Sequence, residues 1–247
     1  DFTYTKKNIL LEQLAMNTPN SEMKGRVELK YDRKDFSDFN NKVVFDVEFD
    51  KASIASNDLN FFYNEFGKNN IFYVDTHLVG TLNNFTTHNL KLTDKNQSEI
   101  IGTANFQNLF GKENQEFYMK GSFDRITSDY EALKIIMPRV LGKNLPSVLA
   151  KLGRVDLNGD VELTQKYINA NVYLLSKLGI VDGDLAIQNI DNIDNASYQG
   201  NIKLDNFDLG TLLSEKDLGK TTLDLNVDGK GFTQKLLNTS IEGTIKK

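Results

Sequence analysis

Strict alternation of apolar and polar residues, repeated in run after run, constrains this chain more than any other feature. Val43, Phe45, Val47 and Phe49 are interleaved with Val44, Asp46, Glu48 and Asp50, and Val155, Leu157, Val161 and Leu163 alternate with Asp156, Asn158, Asp160 and Glu162. The same beat returns in Val172 and Leu174, in Ile202 and Leu204, in Leu223, Leu225 and Val227, and in Ile241 and Ile245. A strand turns successive side chains to opposite faces, so a period of two reads as a sheet with one face in apolar material and the other in water. Asn, Asp and Gly clusters separate the runs, at Asn40-Asn41, Asn69-Asn70, Asn83-Asn84 and Asp191–Asn195, and these are expected to be hairpin or meander connections. About 14 strand candidates at roughly 4.8 Å spacing would make a sheet about 65 Å wide, which must curl, split or close.

The expected fold is therefore mainly β, a long curled antiparallel sheet. Glycines inside the runs, such as Gly159, Gly183 and Gly200, permit bulges and sharp bends, and their irregular spacing marks a degenerate repeat. Four short segments have helical spacing. They are 57–66, a turn capped by Ser128 and carrying Tyr130, Leu133 and Ile136, the stretch 145–152 ending at Gly153, and 208–213. The chain accordingly divides into a first β region (1–127), a helical insertion (128–153) and a second β region (154–247), all of one continuous architecture.

Composition narrows the function. With 247 residues the chain can bury a sizeable core without staples, and it has no cysteine, which removes disulfides, thiolate metal sites and cysteine nucleophiles. A net charge of -5 gives no basic footprint for nucleic acid. No run approaches the roughly 20 apolar residues of a membrane-spanning helix, and the start at Asp1 resembles neither an initiator nor a signal peptide, so an internal segment of a longer protein is expected.

Chemistry-bearing motifs are sparse. His77 and His88, the two histidines, stand in alternating runs with no nucleophile or metal-ligand spacing around them. Asp224–Gly229 matches the first half of a calcium loop, but Lys235 stands where the bidentate Glu belongs, and Leu223, Leu225 and Val227 make it a strand. The carboxylates fall on the polar beats, where water is their default environment. No catalytic residue, cofactor or metal is expected, and a non-enzyme is the reading.

The runs Thr18–Tyr31, Ser56–Tyr63, Tyr198–Leu213 and Leu218–Phe232 resemble, in order and content, the TamB branch of the AsmA-like superfamily as found in Bacteroidetes. That resemblance implies an elongated U-shaped β-groove with an apolar interior, a bridge-like carrier moving phospholipid across the periplasm toward the outer membrane. It further implies a full-length protein anchored at the inner membrane, and an outer-membrane partner of the barrel-assembly type, TamA-like, contacted through parts of the protein outside this chain. A chaperone-like scaffold for outer-membrane protein assembly is the alternative it allows. Phospholipid acyl chains are then expected against Val43, Phe45, Val47 and Phe49, against Val155, Leu157, Val161 and Leu163, and against Ile202, Leu204, Leu223, Leu225 and Val227.

Overall fold

A computed structural model describes the whole chain except residues 63–65, 110–114, 137, 139–141, 143–144, 146, 193, 232–237 and 247. The protein is mainly β. Its 14 strands form an antiparallel sheet in which spatial order follows sequence order, a meander that is not closed into a barrel. Two compact units divide it, Asp1–Gly121 and Ser122–Lys247.

The first unit holds β1 (Phe2–Tyr4), β2 (Asn8–Asn17), β3 (Glu22–Lys30), β4 (Val44–Ala55), β5 (Ile71–Thr81), β6 (Asn84–Asp94), β7 (Glu99–Gln107) and the start of β8 (Tyr118–Ser128). Residues opposite one another in an antiparallel pair share a face. The register Leu29, Phe45, Gly80, Phe85, Phe106 and the neighbouring one Val27, Val47, Leu78, Thr87, Ala104 therefore define one largely apolar face. Val47, Phe85 and Ala104 are buried on it.

The strands of this unit are creased. Register shifts fall between Leu11 and Leu14, between Phe49 and Ala52, and between Thr87 and Leu90. Inside them Gln13, Lys51 and Asn89 have φ of 52°, 52° and 51°, so each of these three alternate strands carries a β-bulge with one left-handed residue. Gly25 lies opposite the first bulge with φ +154°, where a Cβ would stand 1.8 Å from the Glu48 carbonyl oxygen, so no other residue fits there. An extra residue flips the phase of the alternation, and the apolar side chains beyond each bulge return to the same face.

Helical turns occupy strand connections. A 3-10 helix (Arg33–Asp38) runs into α1 (Phe39–Lys42), so Asn40-Asn41, expected as a turn, is helical. The cause is aromatic packing: Tyr31, Phe36, Phe39 and Phe45 touch ring to ring in series, carrying the connection onto the apolar face where Val43 is wholly buried. α2 (Ser56–Phe62) follows β4, its Asp58 carboxylate accepting hydrogen bonds from Thr18, Asn20 and Ser21. The expected helix ran to 66, and its residues 63–65 lie outside the described ones.

The second unit takes the rest of β8, then α3 (Tyr130–Ile136), a 3-10 helix (Ser147–Leu152), β9 (Val155–Thr164), β10 (Tyr167–Ser176), β11 (Gly179–Gln188), β12 (Ser197–Asp208), α4 (Leu209–Leu213), β13 (Lys220–Lys230) and β14 (Asn238–Lys246). Asp129, directly before α3, caps it: its Oδ1 accepts from the Ala132 amide at 2.9 Å. Asp208 caps α4 in the same way through Thr211. Pro146, part of the expected 145–152 helix, lies outside the described residues.

Candidate functional site

The register of the second unit sorts its side chains into lanes that cross six consecutive strands. One lane reads Leu157, Leu174, Val181, Leu204, Leu223, Ile245. The next reads Gly159, Val172, Gly183, Ile202, Leu225, Gly243, and the third Val161, Ala170, Leu185, Gly200, Val227, Ile241. A fourth, Leu163, Ile168, Ile187, Tyr198, Gly229, Thr239, completes the face. Apart from Tyr198 and Thr239 every position is aliphatic or glycine. The residues expected from this half of the sequence, Leu157, Val161, Leu163, Ile202, Leu204, Leu223, Leu225 and Val227, all lie in these lanes, and Val155 shares their phase at the start of β9. In the first unit Phe45, Val47 and Phe49 share the apolar face of β4, with Val43 buried just ahead of them.

Exposure separates an open face from a closed core. Val172, Leu185 and Ile187 are only half-buried, and Ile241 is 59% exposed, whereas Leu163 and Val227 on the same face are buried. The chain exposes 14459 Å², more than the roughly 13,400 Å² expected if its 28.0 kDa formed two separate compact bodies.

One end of the face is covered. Leu152 of the 3-10 helix and Leu209 and Leu212 of α4 pack on a cluster of Leu178, Leu204, Phe207 and Leu223, which also engages Ile202 and Leu225. The Lys151 Nζ holds the two helical segments together, donating to the Leu212 carbonyl at 2.7 Å and to the Ser214 hydroxyl at 2.6 Å. Sequence reasoning missed Phe207, Leu178 and Leu152. Phe207 falls on the polar beat of β12 by simple counting; a bulge at Asn206, with φ 46°, returns it to the apolar face.

No family model, curated protein or solved structure matches the chain. Among the described residues no group of three or more His, Asp or Glu side chains is placed to hold a metal ion, and no helix is long and apolar enough to cross a membrane.

The opposite faces are polar. In the second unit that face carries Asp160, Asp184 and Asn201 in one register line and Asp182, Lys203 and Asp224 in another, so the half-motif Asp224–Gly229 is ordinary strand. Lys235 of that motif lies outside the described residues. In the first unit Asp46 anchors a charge ladder. Lys30 Nζ donates to it at 2.9 Å, His77 Nε2 lies 2.9 Å away, and Arg26 stands 3.5 Å off while also pairing with Glu28. His77 faces His88 across β5 and β6, ring centres 5.9 Å apart. A cavity of about 680 Å³ opens beside this ladder at the crease, lined in part by Lys24, Arg26, Glu48 and His77. Lys24 pairs with Glu22, and Arg26 with Glu28 and Asp46.

The ladder sets a pH dependence. The Lys30 hydrogen bond, then the one from His77, hold the Asp46 carboxyl below its ordinary value. A carboxyl with a lower pKa when folded stabilises the fold above its unfolded pKa, and the contribution is lost as pH falls through the folded value. We expect Asp46→Asn to lower Tm by a constant few degrees above about pH 5, with the gap closing below about pH 4. Thermal melts across that range check it, and a gap unchanged in acid would assign the effect to packing.

Proposed function

We propose that the chain is a segment of a bridge-like lipid carrier whose apolar face conducts phospholipid acyl chains. The observation that supports it best is the face of aliphatic residues in register over six strands, on which Val172, Leu185 and Ile187 are only partly buried and Ile241 is exposed, although Leu163, Leu204, Leu223 and Val227 are buried. A sheet buries its apolar face against another layer or leaves it for a guest, because exposed aliphatic surface costs roughly 25 cal/mol per Å². Among the described residues, the chain's own helical segments cover one end of this face. The bare remainder offers each guest CH2 group about 0.8 kcal/mol of relief from water, without shape selectivity and without breaking a bond.

On this reading the curled sheet is the wall of a U-shaped groove, and head groups stay at strand ends and loops. The resemblance to TamB-like proteins adds the setting: the periplasm of a Gram-negative envelope, a whole protein anchored at the inner membrane, and a TamA-like partner at the outer membrane. Nucleic acid has no place in it.

The test is the purified chain itself. Native mass spectrometry is expected to show adducts of phospholipid mass, and organic extraction to recover phospholipids of mixed head group. Dansyl-undecanoic acid should gain fluorescence on mixing with delipidated protein. A lipid-free chain that leaves the probe in water overturns the reading.

A further inference from the structure

The chain has two histidines and no cysteine, and the fold sets its two imidazoles side by side. Residues 77 and 88 are too far apart in sequence for a local metal motif, but the β5–β6 hairpin cancels that distance. Thr81 pairs with Asn84, and counting back along both strands brings His77 opposite His88. Directly opposed residues of an antiparallel pair share a face, with Cβ atoms about 4.5–5.5 Å apart. The ring centres are 5.9 Å apart. Two random positions in a sheet of 14 strands would seldom meet in this way.

A third group fixes how His77 can be used. Its Nε2 lies 2.9 Å from Asp46 Oδ1. The Asp46 carboxyl is held below its ordinary value by hydrogen bonds from Lys30 and His77, so it is an acceptor and Nε2 carries the proton. The lone pair of neutral His77 is then on Nδ1. A carboxylate behind a histidine, with the other ring nitrogen left as donor, is the arrangement that orients ligating imidazoles in metal sites.

Charges on the neighbouring strands suit a cation. Glu48 stands opposite His77 on β4, on the side away from His88. Arg26 and Lys30 belong to β3, one strand further out, and pair with Glu28 and Asp46. His88 is exposed and the His77 side chain is 40% exposed, so water reaches the remaining coordination positions.

We infer that His77 and His88 form a two-histidine site for a late first-row divalent cation, Cu2+ or Zn2+, with Asp46 as the residue that positions His77. Metal–nitrogen distances of about 2.0–2.1 Å put each ring centre roughly 3.2 Å from the ion, so centres 5.9 Å apart subtend about 130° at it, between tetrahedral and linear. Nitrogen donors rank Cu2+ above Zn2+ and give no hold on Mg2+ or Ca2+, which take oxygen. The site lies on the polar face and is independent of the carrier reading. A bound ion clips β5 to β6 beside the bulge at Asn89.

Calorimetric titration of Zn2+, Cu2+ and Ca2+ into the tag-free chain, stripped of metal with chelator, makes the test, with a metal-free melt of each variant. One Zn2+ or Cu2+ per chain is expected, Cu2+ the tighter. His77→Gln and His88→Gln should each abolish Zn2+ binding, and Asp46→Asn should weaken it by roughly 10–100-fold. His88 is exposed, so His88→Gln should keep the wild-type melt, and its titration decides the matter if the other variants unfold early. The chain has no other imidazole and no thiol, so Zn2+ binding that survives either histidine substitution belongs to carboxylates and overturns the site. A wild type that binds neither Zn2+ nor Cu2+, or that binds Ca2+ equally well, overturns it too. Undiminished affinity in Asp46→Asn overturns the positioning role of that residue.

Discussion

Phe207→Ala lowers the stability of the second unit by about 3–5 kcal/mol, the largest effect expected of any single substitution in this chain. Phe207 is 1% exposed and sits among Leu178, Leu204 and Leu223, with Leu152, Leu209 and Leu212 closing over the same cluster. Two losses add. The ring's transfer energy is forfeited, and the cavity cannot collapse readily, because the Asp208 amide is fixed to the Leu178 carbonyl at 2.7 Å and Lys151 ties the covering helices together. Urea unfolding followed by far-ultraviolet circular dichroism measures it, and Tm should fall by about 10 °C or more. A loss under about 1 kcal/mol would mean that the helical cover is not packed on the sheet. Leu213→Ala, at an exposed position of α4, is the control and should shift stability by less than about 0.5 kcal/mol.

Phe207 also shows where the sequence could be read and where it could not. Alternation gave the class of fold, since a period of two leaves little choice but a sheet, and it placed Leu157, Val161, Ile202, Leu204, Leu225 and Val227 on one face because β9 to β13 keep their phase through these residues. Phase is what a bulge changes. Leu14, Ala52, Leu90 and Phe207 each come three residues after an apolar position, which counting assigns to the polar side, and each is returned to the apolar side by one inserted residue. Asn89 and Asn206, which tolerate a left-handed backbone, were the available signal, an Asn set just before an apolar residue that is out of step. Gln13 and Lys51 gave none. The connection at 33–42 was missed for another reason: its helical turns are held by Phe36 and Phe39 reaching Tyr31 and Phe45, contacts that local spacing does not encode. Part of the cover over Leu204 is equally non-local: Leu152 comes from 52 residues earlier in the chain, whereas Leu209 and Leu212 follow Leu204 closely in α4.

A carboxylate placed in the open lanes should abolish guest binding while sparing the fold, and the same charge one residue away should do nothing. Leu185→Asp and Val172→Asp each put an ionised group on the apolar face at a half-exposed position, where water still solvates it in the empty protein. An acyl chain laid over it removes that water and supplies no partner, a cost of at least about 2 kcal/mol, or roughly thirtyfold in affinity for dansyl-undecanoic acid. Asn171→Asp adds an equal charge next to Val172 on β10, but its side chain points to the polar face, so affinity should stay within about twofold of wild type. Net charge and chain position are matched between Val172→Asp and Asn171→Asp; Asn171 lies between Asp160 and Asp184 in register, so a melt of each variant checks that the fold is kept and the face then decides. Equal losses in the two would assign probe binding to long-range repulsion of its carboxylate. Equal retention would place the probe away from these lanes, leaving the apolar face without a guest.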